Sequence, residues 1–305
     1  MQIAPRSDDE VQAAAKALFL GCAPERASEI EAMWTALQPR FHLTDDVHEG
    51  ERFILDAGLF RDIRFNHRVM RSFWLAGFIA WEGYQAVQAA VAKGCEPSAA
   101  NLDRFRALIG VFDSCITSNE PQLEPLPDHI PEPGSYPGSQ QPELQAPAEL
   151  ATIAVGWAFL HEVRHIKHQQ AGTGASQHDK AEAFHREELS CDSFATTFLL
   201  ENIPEFAQQY GLDEEQVSRK RRLGIYFALF LITLVCKNRW GESNTHPSVQ
   251  RRMDAVLNIY SRCDPDEADA VAFAAFQALS FALPGTPIPP FPKRTQTSDS
   301  CVPRA

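Results

Sequence analysis

The sequence predicts a mainly α protein, in the α+β class with at most a small sheet. Three observations lead to this prediction. Long segments such as residues 69–93 carry apolar side chains at helical spacing. Strand-like patterns are confined to two short runs, at residues 53–55 and 63–65. Apolar residues make up 44% of the 305-residue chain, which is enough for a sizeable core.

The N-terminal elements follow from composition and periodicity. Residues 9–40 are rich in alanine and have an apolar face, so they predict a helix. Residues 50–70 are ambiguous between two short strands and one helix. Residues 69–93 predict a long apolar helix that ends at Gly94, because glycine commonly follows the last helical residue. A further helix is expected over residues 101–115.

A segment dense in proline, residues 121–147, interrupts these patterns. Proline lacks the backbone N–H and has a fixed φ, so this density predicts no regular element. We interpret the segment as an exposed linker or as a lid over a cleft. Helical patterns resume after it, at residues 148–168, 180–200, 213–237, 247–260 and 266–280.

These elements predict four regions along the chain. Residues 1–120 form a mostly helical N-terminal region, and residues 121–147 form the linker or lid. Residues 148–283 form a helical core. The tail, residues 284–305, is polar and rich in proline and is expected to be disordered.

Charge and cysteine usage limit the class of protein. The net charge of −12 argues against a nucleic-acid partner, because phosphate binding needs clustered cations. The seven cysteines include no CxxC pair, which favours reduced thiols in the cytoplasm. Acidic residues at positions 8–10 stand where an export signal would be cationic, so we expect no signal peptide.

One uncharged run, residues 223–236, raises the question of a membrane segment. A spanning helix needs about 20 apolar residues, and this run is shorter. We therefore predict a helix buried in the core and no integral membrane segment. The basic residues 219–222 just before the run leave peripheral contact with a membrane as an alternative.

The chemistry is concentrated in an HExxH motif, His161-Glu162-Val163-Arg164-His165. Residues at i and i+4 share one helix face, so the two imidazoles can converge on one ion. Imidazole nitrogen is a common ligand of Zn²⁺. Glu162 is adjacent to the first ligand and can reach a water molecule as a general base.

A catalytic zinc site needs a third protein ligand and an open position. Glu188 is the candidate, and Asp192 shares its helix face at i+4. Asp192 can accept the second ring N–H of a ligand histidine. Cys191 is interpreted as a small buried residue. Glu187, adjacent to Glu188, is interpreted as solvated.

Three other histidines are not assigned to the site. His168 lies on the motif face at i+7, but helix geometry carries it about 10 Å along the axis from the first ligand. His178 and His185 lie in or beside a polar loop and are expected to be exposed.

A third segment, Thr245-His246-Pro247-Ser248 with Arg252 downstream, carries further polar groups. Pro247 is suited to the first position of a helix, with Thr245 as a possible cap. His246 can donate a hydrogen bond to a developing oxyanion. Arg252 can orient the site or pair with a carboxylate. A capped helix with a polar first turn is the alternative interpretation.

These motifs resemble those of known peptidase families. HExxH followed by ExxxD resembles the gluzincin metallopeptidases, and residues 246–252 (HPSVQRR) are similar to a segment of HtpX-type membrane peptidases. The combination most resembles the Lit-type phage-exclusion peptidases. The resemblance covers about residues 148–253. Cys191 stands where the ExxAD pattern usually has alanine.

The resemblance implies a zincin-like core built around an HExxH helix and an ExxxD helix. It implies that His161, His165 and Glu188 bind one catalytic zinc ion and that Glu162 is the general base. The expected function is zinc-dependent endopeptidase cleavage of an intracellular protein or peptide in the cytoplasm. The alternative is a non-catalytic, metal-stabilised regulatory or toxin-like interaction protein with a degenerate peptidase fold.

Overall fold

A computed structural model describes residues 7–37, 55–57, 63–65, 67–120, 124–133, 141–176, 178–237, 239–260 and 265–289. Within these ranges the chain forms ten α-helices and one two-stranded sheet. The prediction of a mainly α fold with at most a small sheet is confirmed.

The first predicted helix is two helices, α1 (Asp8–Gly21) and α2 (Ala27–Leu37). A capping box between Ser7 and Glu10 starts α1. The break lies at Pro24, which begins a short 3-10 turn. Proline has no N–H to continue the helical hydrogen bonds, so the stretch predicted to be helical is divided into two helices, and its residues 38–40 lie outside the described residues.

The ambiguous region forms strands. β1 (Leu55–Ala57) pairs antiparallel with β2 (Ile63–Phe65), and Leu55 lies opposite Phe65. Of the predicted strand residues, 53 and 54 lie outside the part of the chain that the structure describes.

Two helices follow at the predicted places, α3 (His67–Ala92) and α4 (Asp103–Thr117). Part of the Pro-rich segment, residues 124–133, lies against α3. The indole Nε1 of Trp74 donates to the carbonyl of Pro131 at 2.6 Å. This part of the segment is therefore held to the helical body.

The motif helix α5 (Pro142–Ala171) begins six residues earlier than predicted and includes Pro147. The expectation that the Pro-rich segment holds no regular element is wrong for its last six residues. Packing explains the difference. Gly77 of α3 lies very close to α5. A Cβ atom added at Gly77 would be only 2.7 Å from Cβ of Ala151 and 3.2 Å from the carbonyl oxygen of Pro147. This close contact holds the first turns of α5 in place despite the lost hydrogen bond.

The remaining helices are α6 (Ala181–Leu200), α7 (Ile203–Tyr210), α8 (Glu214–Val235), α9 (Val249–Ile259) and α10 (Glu267–Ala282). α7 was not predicted from the sequence. α9 is capped by Ser248, whose side chain accepts from the backbone N–H of Arg251. The predicted cap Thr245 and the predicted first residue Pro247 therefore lie before the helix.

The uncharged run in α8 is buried in the core, as predicted. One hydrophobic cluster joins residues from the N-terminal and C-terminal halves, including Leu18, Trp74, Ile153, Ile225 and Phe276. Among the described residues, none of the helices combines the length and the apolar composition that a membrane span requires.

The basic cluster before this run is used within the protein. Arg221 pairs with Glu25 at 2.8 Å, and both side chains are buried. The buried Arg222 pairs with Asp266. The other two cations also form ion pairs, Arg219 with Glu267 and Lys220 with Glu149. The cluster therefore gives no support to the peripheral-membrane alternative.

The predicted disordered tail is partly ordered at its start. Thr286 is buried, and its hydroxyl donates to the carbonyl of Leu283 at 2.5 Å. Residues 290–305 lie outside the described residues.

Candidate active site

Two histidines of α5 face each other at the centre of the site. His161 and His165 are one turn apart, and their Nε2 atoms lie 3.1 Å apart. The apolar neighbours Val163 and Ile166 are buried in the core, which fixes the rotation of α5 about its axis. The HExxH spacing therefore brings two imidazoles together on one face, as predicted.

The carboxylate of Glu188 in α6 faces both of these histidines. Its Oε2 lies 3.5 Å from Nε2 of His161, and its Oε1 lies 3.3 Å from Nε2 of His165. Zinc–nitrogen and zinc–oxygen bonds of about 2.0–2.1 Å give tetrahedral edges of roughly 3.3 Å. The two distances involve different oxygens of Glu188, so its carboxylate faces both histidines, and the three side chains are close enough together to hold one zinc ion.

Asp192 and Arg252 lie behind His161. Oδ1 of Asp192 is 2.9 Å from Nδ1 of His161. Arg252 of α9 donates to both carboxylate oxygens of Asp192, at 2.8 and 2.6 Å. All three side chains are buried. The structure therefore brings together α5, α6 and α9 through one charged hydrogen-bonded chain.

A cleft of about 620 Å³ opens at this cluster. β1 forms part of its wall, and Gln169 Nε2 of α5 donates to the carbonyl of Ala57 at 3.4 Å. The wall contributed by α3, α5 and α8 is mostly apolar, with Phe73, Trp157, Ala228, Leu231, Ile232 and Val235. Residues 124–133 are not among the residues that line the cleft, and the prediction that residues 121–147 form a linker or lid stays a prediction.

Glu162 lines the cleft beside the ligand cluster and is nearly buried. Burial raises its pKa to about 7, although His161 and His165 act in the opposite direction. A carboxyl group with a pKa near neutral pH can both accept and return a proton, as a general base and acid must.

His246 reaches the cleft from the loop between α8 and α9. Its Nε2 lies 3.7 Å from Oε1 of Glu188, and its Nδ1 lies 2.8 Å from Oγ1 of Thr245. The loop is attached to α6 by His185, whose Nε2 is 2.7 Å from the carbonyl oxygen of Ser243. His185 is 4% exposed, so the prediction that it is solvent-exposed is wrong.

The sequence of the chain matches one known protein family. The family model described as peptidase U49 matches residues 63–275, which is more than half of the chain. The chain belongs to the peptidase U49 family. No curated protein and no solved structure matches it. The matched region of this U49 peptidase contains every predicted site residue and leaves out α1, α2 and β1.

Cys191 is a second candidate for the third ligand position in this U49 peptidase. Its thiol lies within 4.8 Å of ligand atoms of His161 and His165. Burial raises its pKa to about 11. Burial also acts to raise the pKa of Glu188, but hydrogen bonds from the two histidines hold it well below its usual range. A metal ion displaces the proton of a thiol that binds it, so both residues remain candidates for the third ligand position.

The structure gives Glu187 a role that the sequence analysis missed. Its Oε1 lies 2.7 Å from Nδ1 of His165, and its side chain is only 13% exposed, so the prediction that it is solvated is wrong. Glu187 and Glu188 thus contact the two different ring nitrogens of His165. A ligand histidine needs a partner for its second ring nitrogen, and that need was the available signal.

His168 and His178 of this U49 peptidase lie outside the cluster. Nδ1 of His168 is 2.8 Å from Oγ1 of Thr173, and its Nε2 is 3.1 Å from Oγ of Ser190. His178 is exposed, as predicted.

Proposed function

We propose that this U49 peptidase is a zinc-dependent endopeptidase in which His161, His165 and Glu188 hold one catalytic zinc ion. The observation that supports it is that the Nε2 atoms of the two histidines lie 3.1 Å apart beside a cleft, and that each lies 3.3–3.5 Å from one oxygen of the Glu188 carboxylate. The neighbouring Glu162 supplies a group that a purely structural metal site would not need.

A zinc ion at this position would lower the pKa of water and polarise the carbonyl group of the scissile peptide bond. Glu162 accepts a proton from the attacking water and returns it to the leaving amine. The pKa of about 7 suits both transfers near neutral pH. The side chain is buried where it lines the cleft.

His246 is proposed to stabilise the oxyanion. When the hydroxyl of Thr245 donates to Nδ1, the ring proton is on Nε2, the atom that faces Glu188 and the cleft. That N–H can donate to the carbonyl oxygen as negative charge develops on it.

The substrate is proposed to be a protein or peptide in extended form. β1 lines the cleft and can add a substrate strand to its edge through main-chain hydrogen bonds. The apolar wall can receive a large apolar side chain of that strand. The five cysteines in the described ranges are free thiols, which agrees with a target in a reducing compartment.

Zinc content and cleavage together test this proposal. The purified wild-type protein should contain about one zinc ion and should create new peptide termini in a library of unstructured peptides. Glu162→Gln should keep the zinc and create none. Glu149→Gln, an exposed carboxylate on the same helix that pairs with Lys220, should cleave like wild type.

The other outcomes separate the alternatives. Cleavage by Glu162→Gln at the wild-type rate would refute the assigned base. Bound zinc without cleavage by the wild-type protein would support the non-catalytic, metal-stabilised alternative. Wild-type protein without zinc would refute the metal site.

A further inference from the structure

Glu187 connects the ligand residue His165 to the loop between α5 and α6. Its Oε1 lies 2.7 Å from Nδ1 of His165. Its Oε2 accepts a hydrogen bond from the backbone N–H of Ala175 at 2.5 Å. The side chain is 13% exposed. Because each carboxylate oxygen has a partner, the carboxylate has one defined orientation towards the ring.

We infer that Glu187 is a positioning residue for the metal, acting through His165; this inference rests on the proposed function. By accepting the Nδ1–H, Glu187 selects the tautomer in which Nε2 of His165 has a free lone pair. That Nε2 is the atom that lies 3.3 Å from Oε1 of Glu188. The hydrogen bond also holds the plane of the ring and makes its Nε2 more basic.

The two ligand histidines have carboxylate partners whose surroundings differ. Asp192 orients His161, but its charge is balanced by two hydrogen bonds from Arg252. Within the ranges that the structure describes, no lysine or arginine forms an ion pair with Glu187. The negative charge of Glu187 therefore acts on His165 without a competing cation.

Zinc affinity of the full-length protein, measured by competition with a chelator, tests the inference. Glu187→Ala should weaken zinc binding by about 10- to 100-fold. Glu187→Gln should lose less, because its amide oxygen can still accept from the ring. The control is Ser190→Ala, which removes the hydrogen bond between α6 and His168 at the same helix contact. It should bind zinc like wild type.

A ring-proton signal separates positioning from general destabilisation. In zinc-bound wild-type protein, the Nδ1–H proton of His165 should appear far downfield in NMR spectra, because it is hydrogen-bonded to a carboxylate. Its assignment follows from its loss in His165→Gln. In Glu187→Ala it should shift upfield or exchange away, whereas in Ser190→Ala it should stay. Thermal unfolding of the metal-free proteins shows whether each variant is folded.

The possible failures are distinguishable. Wild-type protein that binds no zinc overturns the proposed function and this inference together. Wild-type protein that binds zinc through His165, with Glu187→Ala equal to Ser190→Ala, overturns this inference alone. Should Glu187→Ala not fold, Glu187→Leu, which has a similar size and no acceptor, takes its place, and an unchanged zinc affinity and ring-proton signal in that variant overturn the inference as well.

Discussion

Arg252 donates two hydrogen bonds to Asp192, from Nε to Oδ2 at 2.8 Å and from Nη2 to Oδ1 at 2.6 Å. Asp192 in turn lies 2.9 Å from the ring of His161. A residue of α9 thus orients a side chain of α5 through a carboxylate of α6. The geometry of the site depends on three helices that are far apart in the sequence.

Removal of the guanidinium group of Arg252 should therefore destabilise the folded protein as well as the site. Arg252→Ala should lower the free energy of unfolding by about 3–5 kcal/mol, because it leaves the buried Asp192 without its charge partner. Arg252→Lys should recover only part of this loss, since lysine cannot form the two parallel hydrogen bonds. Chemical denaturation of the metal-free protein measures both changes.

The adjacent Arg251 provides the control. It pairs with Glu182 and Glu242 at the surface, where solvent screens the interaction. Arg251→Ala should leave the denaturation midpoint close to that of wild type. Equal losses for the two arginines would contradict the structural role given to Arg252.

The identity of the third ligand can be decided between Glu188 and Cys191. Glu188→Ala should lose zinc, and Cys191→Ala should keep about one zinc ion per chain, because the Glu188 carboxylate faces the Nε2 atoms of both histidines. Elemental analysis after dialysis gives the occupancy. The reverse pattern would move the ligand role to Cys191.

The ionisation of Glu162 should appear in the pH dependence of stability after zinc has been removed. Burial raises its pKa from 4.5 to about 7, so the folded protein holds this proton more tightly than the unfolded chain does. Its contribution to stability is complete at low pH and is lost between about pH 4.5 and 7.

Glu162→Gln does not titrate at this position. Relative to that variant, the metal-free wild type should lose about 3 kcal/mol of unfolding free energy as pH rises through this interval. Above pH 7 the difference should stay constant. Denaturation midpoints at several pH values measure it, and parallel curves for the two proteins would contradict the raised pKa.

The contact between α5 and α8 leaves no room for a side chain at Gly224. A Cβ there would lie 2.5 Å from Cβ and Cγ2 of Ile153, so Gly224→Ala should cost about 1–3 kcal/mol. Gly110 on α4 has nothing within 4 Å of the same position. Gly110→Ala should instead stabilise the protein slightly, by about 0.5–1 kcal/mol. Thermal or chemical unfolding distinguishes the two signs.

Local rules predicted much of this molecule. The long helix over residues 69–93, the buried run in α8 and the converging face of HExxH follow from periodicity within one element. Where a neighbouring helix decided the outcome, those rules failed. Pro147 is helical because α5 packs closely on Gly77. No pattern within residues 121–147 predicts that contact.

The site likewise contains contacts that the sequence predicts and contacts that only the tertiary structure determines. The pairing of His161 with His165 needs only the pitch of a helix, which backbone hydrogen bonds within one segment establish. The position of Glu187 against His165, and that of His185 against the loop of His246, depend on how α6 lies beside α5 and α9. Such contacts arise from the packing of side chains between elements that are distant in the chain. The spacing of residues within any one segment does not predict that packing.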